Sequence, residues 1–289
     1  MSESIVADFV GRFHADALDR ERPVRGRILL SRKRLVLAAR RTKTTIPLSA
    51  VFDVSVGFVP PDLTDFFNDT VTIAYERRGE KRAAVVEGDG GNVDRFATVL
   101  FKALLNGASA TVVHPARVGG RVTDASAESA RLSLRDRAVA FAGCSTPFAV
   151  DLGAVSKVEP RVRNVEGARR RMLELTHLDG GAALTSIVGF DAHRRTNLFG
   201  RYVRIEYGRL VEEVEALSHT EAELEVLVAL YSTGGDARLG TVLDADPSRI
   251  TMVLNSLRDA GLVVDADGKT TLTPRGRIAV GAHLERVNA

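Results

Sequence analysis

The chain has 289 residues, 45% hydrophobic and 27% charged, with 40 Lys and Arg against 37 Asp and Glu, a mixture that excludes fibrous and disordered classes. That length suits two or three domains of roughly 100–150 residues each. Cys144 is the lone cysteine, so an internal disulfide, a multi-thiolate metal site and a stapled secreted scaffold are excluded, and a reducing compartment fits.

In chain order, the first thirty residues carry acids (Glu3, Asp8, Asp16, Asp19) and no apolar central run, so no signal peptide is expected. No apolar run approaches the roughly 18–20 residues that cross a bilayer, and the best, 224–231, is broken by Glu225. A soluble, cytoplasmic protein is expected. Residues 27–54 then align without a gap with residues 131–158, with eight identities: Arg27/Arg131, Leu30/Leu134, Ala38/Ala142, Thr42/Thr146, Leu48/Leu152, Ala50/Ala154, Val51/Val155 and Val54/Val158. Inside each copy, apolar residues alternate as in half-buried strands: Ile28, Leu30, Leu35 and Leu37 in one, Leu132, Leu134, Val139 and Phe141 in the other. Polar clusters at 31–34 and 135–137 read as hairpin turns. Further strand pairs are expected at 71–75 with 83–86 and at 172–176 with 182–188, turning at Gly79 and at Gly180-Gly181.

The first hairpin is basic. Residues 25–45 hold eight cations and no acid, among them Arg32, Lys33, Arg34, Arg40, Arg41 and Lys43. Such a surface suits an acidic protein partner or anionic lipid headgroups. It equally suits an edge hairpin charged for solubility and against edge pairing. The second copy keeps only Arg131, Arg135 and Arg137 and adds Asp136. The segment 58–69 has no counterpart in the second copy. Its Phe58, Phe66 and Phe67 point to a loop packed against another domain or subunit, the alternative being a self-packed loop. Its three aspartates make a weak metal motif.

Each copy closes on a helix. Asn92 opens a run with Phe96, Val99, Leu100, Ala103 and Leu104 on one face, stopped at Gly107. A second run from Asp191 sets Leu198, Tyr202 and Ile205 on one face. About seven short strands closed by one helix is the plan of a pleckstrin-homology-like (PH-like) barrel, with an unrelated pair of α+β domains as the alternative. The expected fold class is therefore α+β and multidomain: PH-like domains at 1–109 and 110–208, then a linker helix with an α/β winged-helix domain at 209–289.

The period switches to 3.6 in that last third. Leu210, Val211, Val214 and Leu217 share a face that continues the preceding helix, although Gly200 and Gly208 weaken such continuity. Thr220 and Glu223 have capping-box spacing and open a helix with Leu224, Leu227, Val228 and Tyr231 inward. A short helix near 239–243 precedes Asp246-Pro247, where a third helix starts and buries Ile250, Val253, Leu254 and Leu257. The strands 262–264 and 270–272 complete a winged-helix order. Thr273-Pro274 opens a last helix with a stripe of Val280, Leu284 and Val287, flanked by Arg277, His283 and Arg286. This stripe is a candidate docking surface, and it equally suits packing on its own domain or across a dimer.

Winged helices commonly read DNA, which rests on cations meeting phosphates. Here residues 219–289 carry a net charge of −3 against +6 for the first 218, and the wing tip holds Asp265 and Asp267. That sign repels duplex and favours protein docking. Enzyme signatures are missing: the six histidines show no metal spacing, and neither a phosphate-binding loop nor a nucleophile elbow occurs. No catalytic residue, cofactor or metal is expected, and Cys144 reads as a small buried or edge residue.

The order of parts, from Ile5-Val6-Ala7-Asp8-Phe9 through the basic hairpin and the 58–69 segment to the acidic winged helix, resembles the archaeal taxis protein CheF family. The resemblance covers essentially the whole chain. It implies a homodimeric, non-enzymatic cytoplasmic adaptor that binds the phosphorylated response regulator CheY through its C-terminal region. It also implies contact with the archaellum switch complex at the cytoplasmic face of the motor, so that phosphorylation controls the direction of rotation. On this reading Arg277, Val280, His283, Leu284, Arg286 and Val287 form the candidate CheY-docking surface. No nucleic acid or membrane insertion is implied. A winged-helix transcription regulator and a lipid-binding PH-like module are the alternatives.

Overall fold

A computed structural model describes residues 3–16, 22–40, 42–58, 69–88, 92–165, 167–179, 182–234, 239, 243, 246–266 and 268–288, with backbone alone at 266 and 285–288. The fold is α+β, with two large antiparallel sheets and five bounded helices among these residues.

The first sheet contains β1 (Ile5–Ala15), β2 (Val24–Ser31), β3 (Arg34–Ala39), β4 (Thr42–Pro47), β5 (Val51–Val56), β6 (Thr70–Arg77) and β7 (Glu80–Glu87). The second contains β8 (Ser109–Val118), β9 (Arg121–Val122), β10 (Glu128–Arg135), β11 (Ala138–Ala142), β12 (Phe148–Asp151), β13 (Val155–Val165), β14 (Ala168–Asp179) and β15 (Ala182–Phe190). Their orders are β4-β3-β2-β1-β7-β6-β5 and β12-β11-β10-β8-β15-β14-β13, with β9 paired only to β8. The sequence repeat is thus a repeat of architecture. Alternation explains it: Ile28, Leu30, Leu35 and Leu37 are fully buried, as are Leu132, Leu134, Val139 and Phe141 to within a few per cent. Each such side chain contributes about 1.5–3 kcal/mol on burial. A 3-10 turn joins β4 to β5 (Leu48–Ala50) and β12 to β13 (Leu152–Ala154), at the same place in each copy.

Helix α1 (Asn92–Leu105) closes the first sheet and is followed by Gly107 in the left-handed region, φ 76°. Helix α2 (His193–Glu215) packs on the second sheet and runs straight through Gly200 and Gly208. A Cβ at Gly200 would sit 3.0 Å from Leu173 Cδ1, so glycine there lets the helix lie close to β14. At roughly 1.5 Å per residue α2 is about 35 Å long, and it packs against β5 of the first sheet, α1, strands β13–β15 of the second sheet and the last helix of the chain. Arg201 grips Asp53 of β5 with two hydrogen bonds of 3.2 and 3.0 Å, and Arg209 binds Asp94 of α1 and Glu206.

Beyond α2 come α3 (Glu221–Thr233), α4 (Pro247–Asp259), the hairpin of β16 (Val263–Ala266) with β17 (Lys269–Leu272), and α5 (Pro274–Asn288). The Thr220/Glu223 capping box forms at α3, and Asp246 caps α4 with Pro247 at its first position. The expected short helix near 239–243 lies largely outside the described residues. One apolar cluster runs from Phe13 and Ile28 through Phe101 and Tyr202 to Leu257 and Val280, so sheets and C-terminal helices share a core. No helix among the described residues is long and apolar enough to cross a membrane.

Candidate interaction surfaces

The basic hairpin divides into committed and uncommitted cations. Arg27 donates two hydrogen bonds to Asp8, at 2.8 and 2.7 Å, and holds that carboxyl below its usual range. Arg34 pairs with Glu3 at 2.5 Å, and Glu3 also accepts from the Ser31 hydroxyl, which with Arg34 lowers its pKa. Arg32, Arg40 and Lys43 are exposed and make no ion pair among the described residues. Arg32 and Lys33 stand at the β2–β3 tip. Arg40 and Lys43 stand at the other end of β3, roughly 20 Å away for a six-residue strand. Arg41 lies outside the described residues.

The fold adds two cations that the hairpin sequence could not announce. Arg194 and Arg195, half-buried in the first turn of α2, line one cleft with Arg32 and Lys33. The first turn of α2 carries no acid, and its cap residue Ala192 offers no side-chain oxygen. Cations at a helix N-terminus oppose the helix dipole, and that reversal was the available sequence signal.

The C-terminal stripe is partly core. Val280 is fully buried and holds α5 from beneath, Arg277 and His283 are half-buried, and Leu284 is 36% exposed. The side chains of Arg286 and Val287 lie outside the described set. His283 joins Leu224 and Val228 of α3 and Leu243 around an open groove of about 790 Å³, with Glu221 and Glu225 at its rim. Leu224 and Val228 are thus groove residues, and Tyr231, expected inward, is 52% exposed; the buried stripe of α3 is Val226, Leu227, Ala229 and Leu230. The reason is that α3 is covered by both α4 and α5, which shifts its buried face by about one residue.

On α4, Arg258 is engaged. Its Nε lies 2.9 Å from Asp265 Oδ2 on the hairpin, and the Thr270 hydroxyl donates to the same carboxylate at 2.6 Å. The hydroxyl and the guanidinium together hold Asp265 below the usual carboxylate range. A cation held in this way has little left to offer a phosphate.

Phe58 is 56% exposed, and its carbonyl accepts from the hydroxyls of Thr70 and Thr72 at 3.1 and 2.7 Å. Phe66 and Phe67 lie outside the described residues. Cys144 is half-buried, its thiol 3.3 Å from the Thr146 carbonyl. One titratable cluster is internal to the second sheet: His114 Nδ1 and His177 Nε2 both meet the Ser186 hydroxyl, at 2.7 and 2.9 Å. That hydroxyl donates to one ring and accepts from the other, an arrangement that two neutral imidazoles satisfy. Burial foremost, then the neighbouring His114, depresses His177 to about 4.

Residues 5–209 match the family described as Archaeal Chemotaxis signal transduction system protein F. The chain is 45% identical over 288 residues, spanning both chains completely, to Taxis protein CheF2 of Halobacterium salinarum. It is 27% identical over 289 residues, covering 96% of each chain, to Taxis protein CheF1 of the same organism.

Proposed function

This chain belongs to the archaeal CheF family of chemotaxis signal transduction proteins, and on that footing we propose that it is a non-enzymatic adaptor joining phosphorylated CheY to the archaellum switch complex. The observation that carries the reading is its 45% identity, along the whole of both chains, to a taxis protein. In this reading the chain works as a cytoplasmic homodimer at the motor and sets the direction of rotation.

The parts divide accordingly. The shared strand order, with a helix closing each sheet, supports PH-like domains at 1–109 and 110–208. The three helices and hairpin that follow support a winged helix within 209–289. Its Arg258 is tied to Asp265, which favours a docking module over a DNA reader. The groove between α3 and α5, with His283 in its lining and the partly exposed Leu284 next to it in sequence, is the CheY side. The basic edge at Arg32 and Lys33 is the motor side.

Between them runs α2, a stiff connection. An adaptor responds to phosphorylation by binding one state of its partner better than the other, and tenfold selectivity needs only about 1.4 kcal/mol. Affinity capture with the full chain, with and without acetyl phosphate, tests the proposal. Acetyl phosphate is expected to raise recovery of CheY, with switch-complex proteins retained in both conditions. Recovery of neither, with retention of a defined duplex instead, would reject it.

A further inference from the structure

The two copies of the repeat are alike in backbone and unlike in what covers them. In both, the hairpin turn is tied to the 3-10 turn by one hydrogen bond, from Leu48 N–H to the Lys33 carbonyl and from Leu152 N–H to the Arg137 carbonyl, each 2.9 Å. In the second copy this face is occupied. The acidic end of α2 lies over it, and Arg137 pairs with Glu213 at 2.7 Å. Helix α5 begins against it too, for a Cβ on Gly153 would stand 2.8 Å from Pro274 Cβ.

In the first copy the closing helix has 14 residues against 23 and stops at Leu105. The matching face opens instead into a cleft of about 390 Å³. Leu48, Leu104 and Leu198 give it an apolar floor, while Arg32, Lys33, Arg194 and Arg195 stand around it with no carboxylate among the lining residues. Past Arg32 and Ala103 a second cleft, of about 540 Å³, follows the flank of α1 beside Lys102, and its lining residues also include no acid.

We infer that this cleft seats an acidic amphipathic helix of another protein, which covers the first copy as the glutamate-bearing end of α2 covers the second. Apolar side chains of the incoming helix meet Leu48 and Leu104, and its carboxylates meet cations contributed by both sheet-and-helix units. This is helix-in-groove recognition with charge complementarity at the rim. The inference deepens the adaptor reading by naming what the basic edge holds. Its test requires no taxis protein, so each can fail without the other.

The probe is a fluorescent, helix-stapled peptide of residues 206–217, the acidic stretch that serves the second copy, titrated against the full chain at low salt. Binding is expected, weakening as salt rises. R194E/R195E and R32E/K33E are each expected to weaken it at least tenfold, and R40E/K43E to leave it unchanged. Because Arg194 and Arg195 are half-buried, thermal melts accompany the assay, and the exposed pair R32E/K33E decides the matter if R194E/R195E does not fold. Absence of peptide binding, or binding that the folded cleft variants leave intact, would overturn the inference. So would sedimentation with phosphatidylglycerol vesicles, or self-association, lost in the cleft variants, since each assigns the cleft to a different occupant.

Discussion

Gly153 and Ser49 hold the same position in two aligned turns and face different surroundings. Gly153 permits Pro274 to pack directly on the turn, while Ser49 is exposed beside the cationic cleft. Gly153→Val is therefore expected to destabilise the protein by about 1–3 kcal/mol through overpacking, and Ser49→Val by less than about 0.5. Urea denaturation distinguishes them, and equal losses would refute the difference in packing. The histidine pair gives a second residue-level expectation. An unfolded imidazole titrates near 6.5, whereas His177 in the fold is held at about 4. The unfolded chain thus takes up its proton first, so this contribution is intact above about 6.5 and is lost as pH falls toward 4. Urea midpoints should drop between pH 7 and pH 5, and His177→Phe should reduce the drop; an unchanged drop would show that other groups cause it. Single residues were only partly legible beforehand. Arg32 and Lys33 announced themselves as part of a charge run, but Arg194 and Arg195 are about 160 positions away and join them only through the packing of α2.

At the level of elements, period and repeat revealed most of the fold. Alternation located the hairpins of both copies, and capping residues located α3 and α4. Strand β1 is not legible from periodicity because its apolar residues do not alternate cleanly: Ile5, Val6 and Val10 are exposed while Phe13 and Ala15 are buried. Spacing alone defines the apolar stripes of α3 and α5, so the exposure of Tyr231 and the burial of Val280 emerge only from tertiary packing. Helix α2 is the clearest case of packing overriding propensity, since two glycines argue for a break and the helix is continuous. They differ in kind. A Cβ at Gly208 would meet nothing within 4 Å, whereas one at Gly200 would press on Leu173. Gly208→Ala should stabilise the protein by about 0.5–1 kcal/mol, and Gly200→Ala should give no gain. Thermal melts of the two variants check this, and a gain at Gly200 would contradict the close approach.

For the whole molecule, the shared core and the ion pairs of α2 make the basic edge and the α3–α5 groove two sites on one connected body. Leu284→Asp places a charge on α5 next to His283, which lines that groove, and should weaken capture of acetyl-phosphate-treated CheY at least tenfold, while R32E/K33E leaves that capture unchanged. Loss of CheY in R32E/K33E, with retention in Leu284→Asp, would reverse the assignment of the two sites. The adaptor account is tested most directly by bridging: switch-complex proteins are immobilised, CheY is added, and its retention is measured with and without this chain and acetyl phosphate. The account predicts that CheY stays on the matrix only when the chain and acetyl phosphate are both present. Equal retention of CheY in the absence of the chain would contradict it.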